Sequence, residues 1–301
     1  MRVTHKTINN NLLHNLNSSL KRLNRYNEQL ASGRRISLPS DNPVEAENIM
    51  RLKTSLSQND QYLKNVEDGI SWLDATDSAL DQLTGILHRV RELAIAGSNE
   101  SLEESAREAL ATEIKELFDS VIQVANTTHG GKYLFAGQKT AGASQPFTNA
   151  WGSEPPFVRQ DGITGEIVIE IGAGSQVAIN VVDEDTDGLF TKALETIAKT
   201  YDDIMNGNID SLSNETLKYY DETMDLILTA RSETGAKQNR LEVTKERLKD
   251  LDFNFNRLLS SVQAVDVAET IMHLKAEENI YQLALAVGAR IIRPTLVDFL
   301  G

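Results

Sequence analysis

Two heptad seams, one near each end of the chain, constrain its fold more than any other feature. From Leu13 the apolar residues fall at Leu13, Leu16, Leu20, Leu23 and Leu30, with Asn27 in the one polar slot. Steps of three and four that repeat every seven residues put those side chains on one stripe of a helix, the seam of a coiled coil. Towards the other end Leu241, Leu248, Leu251, Phe255, Leu258, Val262 and Val265 fit the same positions, with Thr244 the polar member. Val267, Ile271, Leu274, Tyr281, Leu285 and Ile292 continue the series to Pro294, with Glu278 and Gly288 in two seam positions. Two seams far apart in one chain can meet only if the chain folds back on itself. The expected fold class is mainly α with a β-rich insertion. Both termini form an antiparallel bundle of long helices and coiled coils, a rod with a small β domain inserted in the middle.

Local signals divide the chain between those ends. Ser32-Gly33 supplies a C-terminal cap, and residues 34–41, with Pro39, Ser40 and Asp41, read as a tight connector. Asn42 is an N-cap, Pro43 suits the first helical position and Glu45 completes a capping box. Leu63, Val66, Ile70, Leu73, Leu80, Leu83, Leu87, Val90 and Ala94 carry the seam to a break at Gly97-Ser98-Asn99. A helix over residues 43–96 would be ~80 Å long at ~1.5 Å per residue. Ser101 or Glu103 opens a third helix, with Leu110, Ile114, Leu117, Val121 and Val124 on one side, ending near residues 127–131.

The period then changes. Ile167, Ile169 and Ile171 alternate with polar residues, as do Val177, Ile179 and Val181, which predicts a hairpin. Gly172 to Ser175 reads as a short loop rather than a tight two-residue turn. Helix returns at Phe190, Leu194, Ile197, Tyr201 and Ile204, breaks at Gly207-Asn208, and is recapped at Ser213 or Asn214. Three regions are expected. Residues 1–42 with 256–301 form a terminal coiled-coil assembly domain, 43–136 with 190–255 a helical rod, and 137–189 a β-rich insertion.

Composition excludes several function classes. The net charge is -14, whereas a nucleic-acid partner requires a basic face. Residues 1–60 nevertheless hold nine Lys/Arg against five Asp/Glu, while residues 183–233 hold four against thirteen. With no cysteine, disulfides and thiolate metal sites are impossible. The opening residues lack the apolar core of a cleavable secretory signal, and no apolar run is long enough for membrane insertion.

Asp183-Glu184-Asp185-Thr186-Asp187-Gly188 resembles the start of a calcium loop, but Leu194 stands where the twelfth-position Glu belongs, so an acidic turn is the better reading. His5, His14, His88, His129 and His273 show no paired ligand spacing. No nucleophile elbow or phosphate loop occurs. The expectation is no enzyme, with no catalytic residue, cofactor or metal.

An apolar stripe left in water needs a partner. For the terminal segments the expected partners are other subunits, because two helices alone bury little. The residues expected to pack between subunits are Leu13, Leu16, Leu20, Leu23, Leu30, Ile271, Leu274, Tyr281, Leu285 and Ile292. Leu12, Ile280, Leu283, Val287 and Ile291 lie off the main seam and would need further cover.

The run Leu30-Ala31-Ser32-Gly33-Arg34-Arg35-Ile36, followed by Pro39-Ser40-Asp41-Asn42-Pro43, resembles the N-terminal signature of the bacterial flagellin family. So do Asn65-Val66-Glu67-Asp68-Gly69-Ile70-Ser71 and Arg89-Val90-Arg91-Glu92-Leu93-Ala94. Gly235-Ala236-Lys237-Gln238-Asn239-Arg240-Leu241 is similar to the family's C-terminal domain. The resemblance spans roughly residues 1–135 and 190–301.

Three features resemble the hook-associated branch of that family rather than the filament protein. They are Met1-Arg2-Val3-Thr4, Gly131-Lys132-Tyr133-Leu134-Phe135-Ala136-Gly137 with Pro146-Phe147, and the ending Thr295-Leu296-Val297-Asp298-Phe299-Leu300. Ala136 departs from the Ser more usual there. The resemblance implies a secreted structural protein of the bacterial flagellum, in a ring of copies of itself at the hook–filament junction. It would stand between a preceding hook-associated protein and flagellin. The resemblance also implies type III export unfolded, aided by a cytoplasmic chaperone. A flagellin filament subunit is the nearest alternative, and an intracellular coiled-coil adaptor a more distant one.

Overall fold

The computed structural model describes residues 5–99, 102–140, 145–160, 163–182 and 188–291. The architecture is helical at both ends with short antiparallel strands between. Helix α1 spans His5–Ser32, α2 Pro43–Gly97 and α3 Glu104–Ala125. Three two-stranded ribbons follow: β1 (Thr128–His129) with β2 (Lys132–Tyr133), β3 (Phe147–Asn149) with β4 (Phe157–Arg159), and β5 (Val168–Gly172) with β6 (Ser175–Ala178). Then come α4 (Leu189–Asn206), the single turn α5 (Ile209–Ser211), a π-helical turn over Leu212–Thr216, α6 (Leu217–Gln263) and α7 (Val267–Ile291).

The expected punctuation is in place. Gly33 ends α1 with a positive φ of 66°, a conformation that favours glycine. Asn42 Oδ1 accepts from the Glu45 amide 3.4 Å away, capping the start of α2. Gly207, at φ 67°, closes α4.

By contacts the chain divides into two compact units, one made of residues 1–58 and 251–301 and the other of residues 59–250. The divisions fall inside α2 and α6, whereas the sequence reading placed the limits of the terminal region at 42 and 256.

The central unit holds the main core. Leu80, Leu83, Leu87 and Val90 of α2 are buried with Ile114, Phe118 and Val121 of α3 and with Phe190, Leu194 and Ile197 of α4. The strand region contributes to the same cluster through Phe135, Phe147, Phe157, Ile163 and Ile179. Phe135 meets Phe190 edge-on at 4.5 Å between ring centroids, and Trp151 lies 4.7 Å from Phe118 and 4.9 Å from Tyr201. A second cluster in this unit joins Val66, Leu73, Leu241 and Leu248 to Ile171 and Val177 of the last ribbon.

Three local features differ from the sequence reading. The β5–β6 hairpin turns through two residues only: Gly172 pairs with Ser175, leaving Ala173 and Gly174, the latter at φ 71°. Gly174 makes that tight turn accessible. The helix before residue 127 ends at Ala125, and residues 128–133 form a ribbon turned by Gly130-Gly131, both at positive φ.

The third difference is a break in the C-terminal helix. Residues 264–266 interrupt it, and Ala264 bridges Arg34. The connector after α1 supplies bonds at the break: the Arg35 amide donates to the Gln263 carbonyl at 2.8 Å, and the Val265 amide donates to the Gly33 carbonyl at 3.1 Å. Among the described residues no helix is long and apolar enough to cross a membrane.

Candidate assembly interface

The terminal unit is built on α1 and α7 lying antiparallel. Three contacts fix the direction. Leu12 lies against Gly288, where an added Cβ would stand 2.7 Å from Leu12 Cδ2. Ser19 and Arg22 reach Glu277, and Tyr26 stacks on His273 at 5.7 Å between centroids. The covered line on α1 runs through Leu12, Leu16, Ser19, Leu23, Tyr26 and Leu30, and on α7 through Thr270, Leu274, Glu277, Tyr281, Ala284 and Gly288. Both lines step by four and three alternately, as a coiled-coil seam requires.

This seam is not a wholly apolar one. Ser19 is only 2% exposed, and its Oγ donates to Glu277 Oε2 at 2.8 Å. Arg22 clamps the same carboxylate with two bonds, Nε to Oε1 at 2.7 Å and Nη2 to Oε2 at 3.1 Å. Such forked guanidinium–carboxylate pairing is the stronger kind of charge-assisted bond. The bond from Arg22 is the chief reason the Glu277 carboxyl titrates below its ordinary value, with Ser19 adding to it.

The connector is braced too. Ile36 is buried with Ala46 and Ile49, against which Leu259 and Val262 pack. Arg35 Nη2 bonds Glu45 at 2.8 Å and the Val262 carbonyl at 3.1 Å. Asp41 Oδ2 accepts from the amides of Leu38 and Ser37, which lowers its pKa, the Leu38 bond contributing most.

The residues expected to pack between subunits therefore divide. Leu23 and Leu274 are buried within the chain, and Leu16, Leu30 and Tyr281 are half-covered in the same seam. Leu13, Leu20, Ile271 and Leu285 face out, exposed by 58%, 43%, 44% and 46%. Each of these four directly follows a seam residue: Leu12, Ser19, Thr270 and Ala284. In an antiparallel pair the positions just after equivalent seam residues flank the same side. The four form one apolar edge to which both helices contribute, with Asn27 and Glu278 as its polar members. Ile280, Leu283 and Val287 of α7 are also exposed, whereas Leu12, expected off the seam, belongs to it. Ile292 lies outside the described residues.

Sequence reasoning passed over Ser19, Arg22 and Glu277, because a hydropathy pattern has no place for polar groups in a seam. Their spacing was the available signal, since Glu277 falls in step with Leu274 and Tyr281. The acidic string 183–187 also lies outside the described residues. Among the described ones no group of three His, Cys, Asp or Glu side chains is arranged to hold a metal.

Comparison with known proteins places this architecture. The model of the bacterial flagellin N-terminal helical region matches residues 3–140, and that of the C-terminal helical region matches residues 217–300, together more than half of the chain. Flagellar hook-associated protein 3 of Escherichia coli is 28% identical over 265 residues, covering 82% of this chain and 83% of that protein. A flagellin of Bacillus subtilis is 24% identical over 306 residues, covering 96% of each.

Among solved structures, flagellar hook-associated protein 3 of Legionella pneumophila superposes with a TM-score of 0.62 at 15% identity. The match covers 71% of this chain and 98% of that one, and it speaks for the fold. The chain belongs to the bacterial flagellin family.

Proposed function

We propose that this chain is a structural subunit of the bacterial flagellum that joins the hook to the flagellin filament. The observation that carries the reading is the outward apolar edge of the terminal helix pair: Leu13, Leu20, Ile271 and Leu285 are exposed while their neighbours Leu12, Ser19, Thr270 and Ala284 lie in the seam inside. Large apolar side chains held in water beside a completed intrachain seam call for a further helix to cover them. In a ring of copies, that helix comes from the neighbouring subunit. The similarity to hook-associated proteins 3 supports the junction as the location. The same reading gives the chain a preceding hook-associated protein on one side, flagellin on the other, and a chaperone that covers its terminal segments before export.

The test uses the outward residues, which leave the intrachain seam intact. Replacing Leu20 and Ile271 with Asp is expected to keep the helical content of the purified protein while preventing filament attachment in cells carrying that copy alone. Covering one leucine stabilises an interface by about 1.5–3 kcal/mol, and an uncovered charge there adds a desolvation cost. Free flagellin should then accumulate in the medium. Filaments that attach normally would remove the assembly edge from the account.

A flagellin subunit is the second reading, favoured by the B. subtilis match along nearly the whole chain. Deleting the gene separates the two. Loss of a junction protein releases unpolymerised flagellin, whereas loss of the flagellin leaves none to release.

A further inference from the structure

The terminal pair has a problem of alignment. Because α1 and α7 each repeat every seven residues, sliding one past the other by seven residues brings covered line onto covered line again. Leu16, Leu23 and Tyr26 would accept Leu274, Tyr281 or Ala284 with little distinction. Glu277 would not be so tolerant. In the observed alignment it meets the Ser19 hydroxyl and the Arg22 guanidinium. One slip would set it against Leu12 and Asn15 and the other against Tyr26 and Gln29, and neither offers a charged donor in the place of Arg22. A carboxylate with 14% side-chain exposure would then lie in the seam without its partners, a costly arrangement for a charge.

We infer that the Ser19–Arg22–Glu277 clasp holds the register along the terminal helix pair, beyond the end tied by the Gly33–Val265 and Arg35–Gln263 bonds, and so determines the surface presented to neighbouring subunits. The inference rests on the reading of the outer edge as an assembly face. Leu13 and Leu20 reach that edge from α1, Ile271 and Leu285 from α7. A seven-residue slip displaces the two halves by about 10 Å at about 1.5 Å per residue. A neighbour shaped to the native edge no longer fits the displaced one. Polar seam groups that cost stability yet select a single alignment are an established device in coiled coils. Here the selected alignment has a use, because the edge exists only when both helices are in step.

The chain contains no cysteine, so disulfide mapping of the full-length protein is unambiguous. Leu12→Cys with Gly288→Cys reports the native register. Leu12→Cys with Tyr281→Cys and Leu23→Cys with Ala284→Cys report the two slips. In the native background only the first pair should cross-link. In Glu277→Ala the slipped pairs should gain at the native pair's expense by about tenfold, the change that losing a charge-assisted bond brings. Filament attachment in cells carrying that variant alone should fall in parallel.

The exchanged variant Arg22→Glu/Glu277→Arg should restore both the native cross-link and filament attachment. It also decides the matter if Glu277→Ala loses its helices altogether. Glu277→Ala keeping the native cross-link as its sole product overturns the inference, as does an exchanged variant that slips. Neither result bears on the assembly edge itself, which the Leu20 and Ile271 substitutions judge separately.

Discussion

Gly137 closes the run Gly131–Gly137 that carries part of the family resemblance, and its surroundings explain the glycine. Its φ is 56°, and a Cβ built there would lie 2.6 Å from the Ile163 carbonyl oxygen and 2.7 Å from its carbon. Those are backbone atoms at the edge of the main core, so they cannot swing aside as the end of a side chain would. Gly137→Ala is expected to destabilise the central unit by about 2 kcal/mol or more, read as a lower denaturant midpoint of Trp72 and Trp151 fluorescence. Gly85 sits within α2 with open space around the position of a Cβ. Gly85→Ala should stabilise the same unit by up to about 1 kcal/mol and so raise that midpoint. A sequence motif does not distinguish these two glycines. Backbone conformation and the nearest atom do.

At the level of elements, the long helices and their caps were legible because they rest on short-range rules. Pro43 and Asn42 begin α2, Gly33 and Gly207 end α1 and α4, and the alternating isoleucines mark the β5–β6 ribbon. The seam on α1 was legible only in part. Leu16, Leu23 and Leu30 belong both to the line of largest leucines and to the line that meets α7. Between those shared points hydropathy favours Leu13 and Leu20, while the actual seam takes Leu12, Ser19 and Tyr26. Apolarity marks what is eventually covered, not by which helix.

The break before α7 is a second case. An apolar series running through Val262, Val265 and Val267 concealed it, although Asp266 and Glu269 spell a helix start. Asp266 Oδ1 accepts from the Glu269 amide at 3.1 Å, and the Thr270 hydroxyl returns to the Asp266 carbonyl at 2.7 Å. Asp266→Ala should lower the stability of α7 by about 1 kcal/mol, seen as faster amide exchange in its first turn, with Asp266→Asn close to native.

Across the molecule the two units differ in what secures them. The central one has an aromatic-rich core, and both tryptophans belong to it. The terminal one relies on a mixed seam, a small cluster around Ile36 and the carboxylates Glu277 and Asp41. Both carboxyls titrate below their unfolded values in the fold. Their stabilising contribution is therefore complete above the ordinary carboxylate range and is lost as pH falls through it, from about pH 5 downwards. Acidification should reduce helical circular dichroism before it alters tryptophan fluorescence, and Glu277→Gln should already show part of that early loss at neutral pH. Coincident transitions would contradict the distinction.

The bonds that tie Gly33 and Arg35 to Val265 and Gln263 carry a consequence for timing. They join segments more than two hundred residues apart along the backbone, so a polypeptide emerging from the ribosome beginning-first holds its opening helix ready for nearly the whole of synthesis before a mate appears. Closing so wide a loop is slow. The corner must be among the last pieces to set, and until then both tails remain open to whatever helix arrives first.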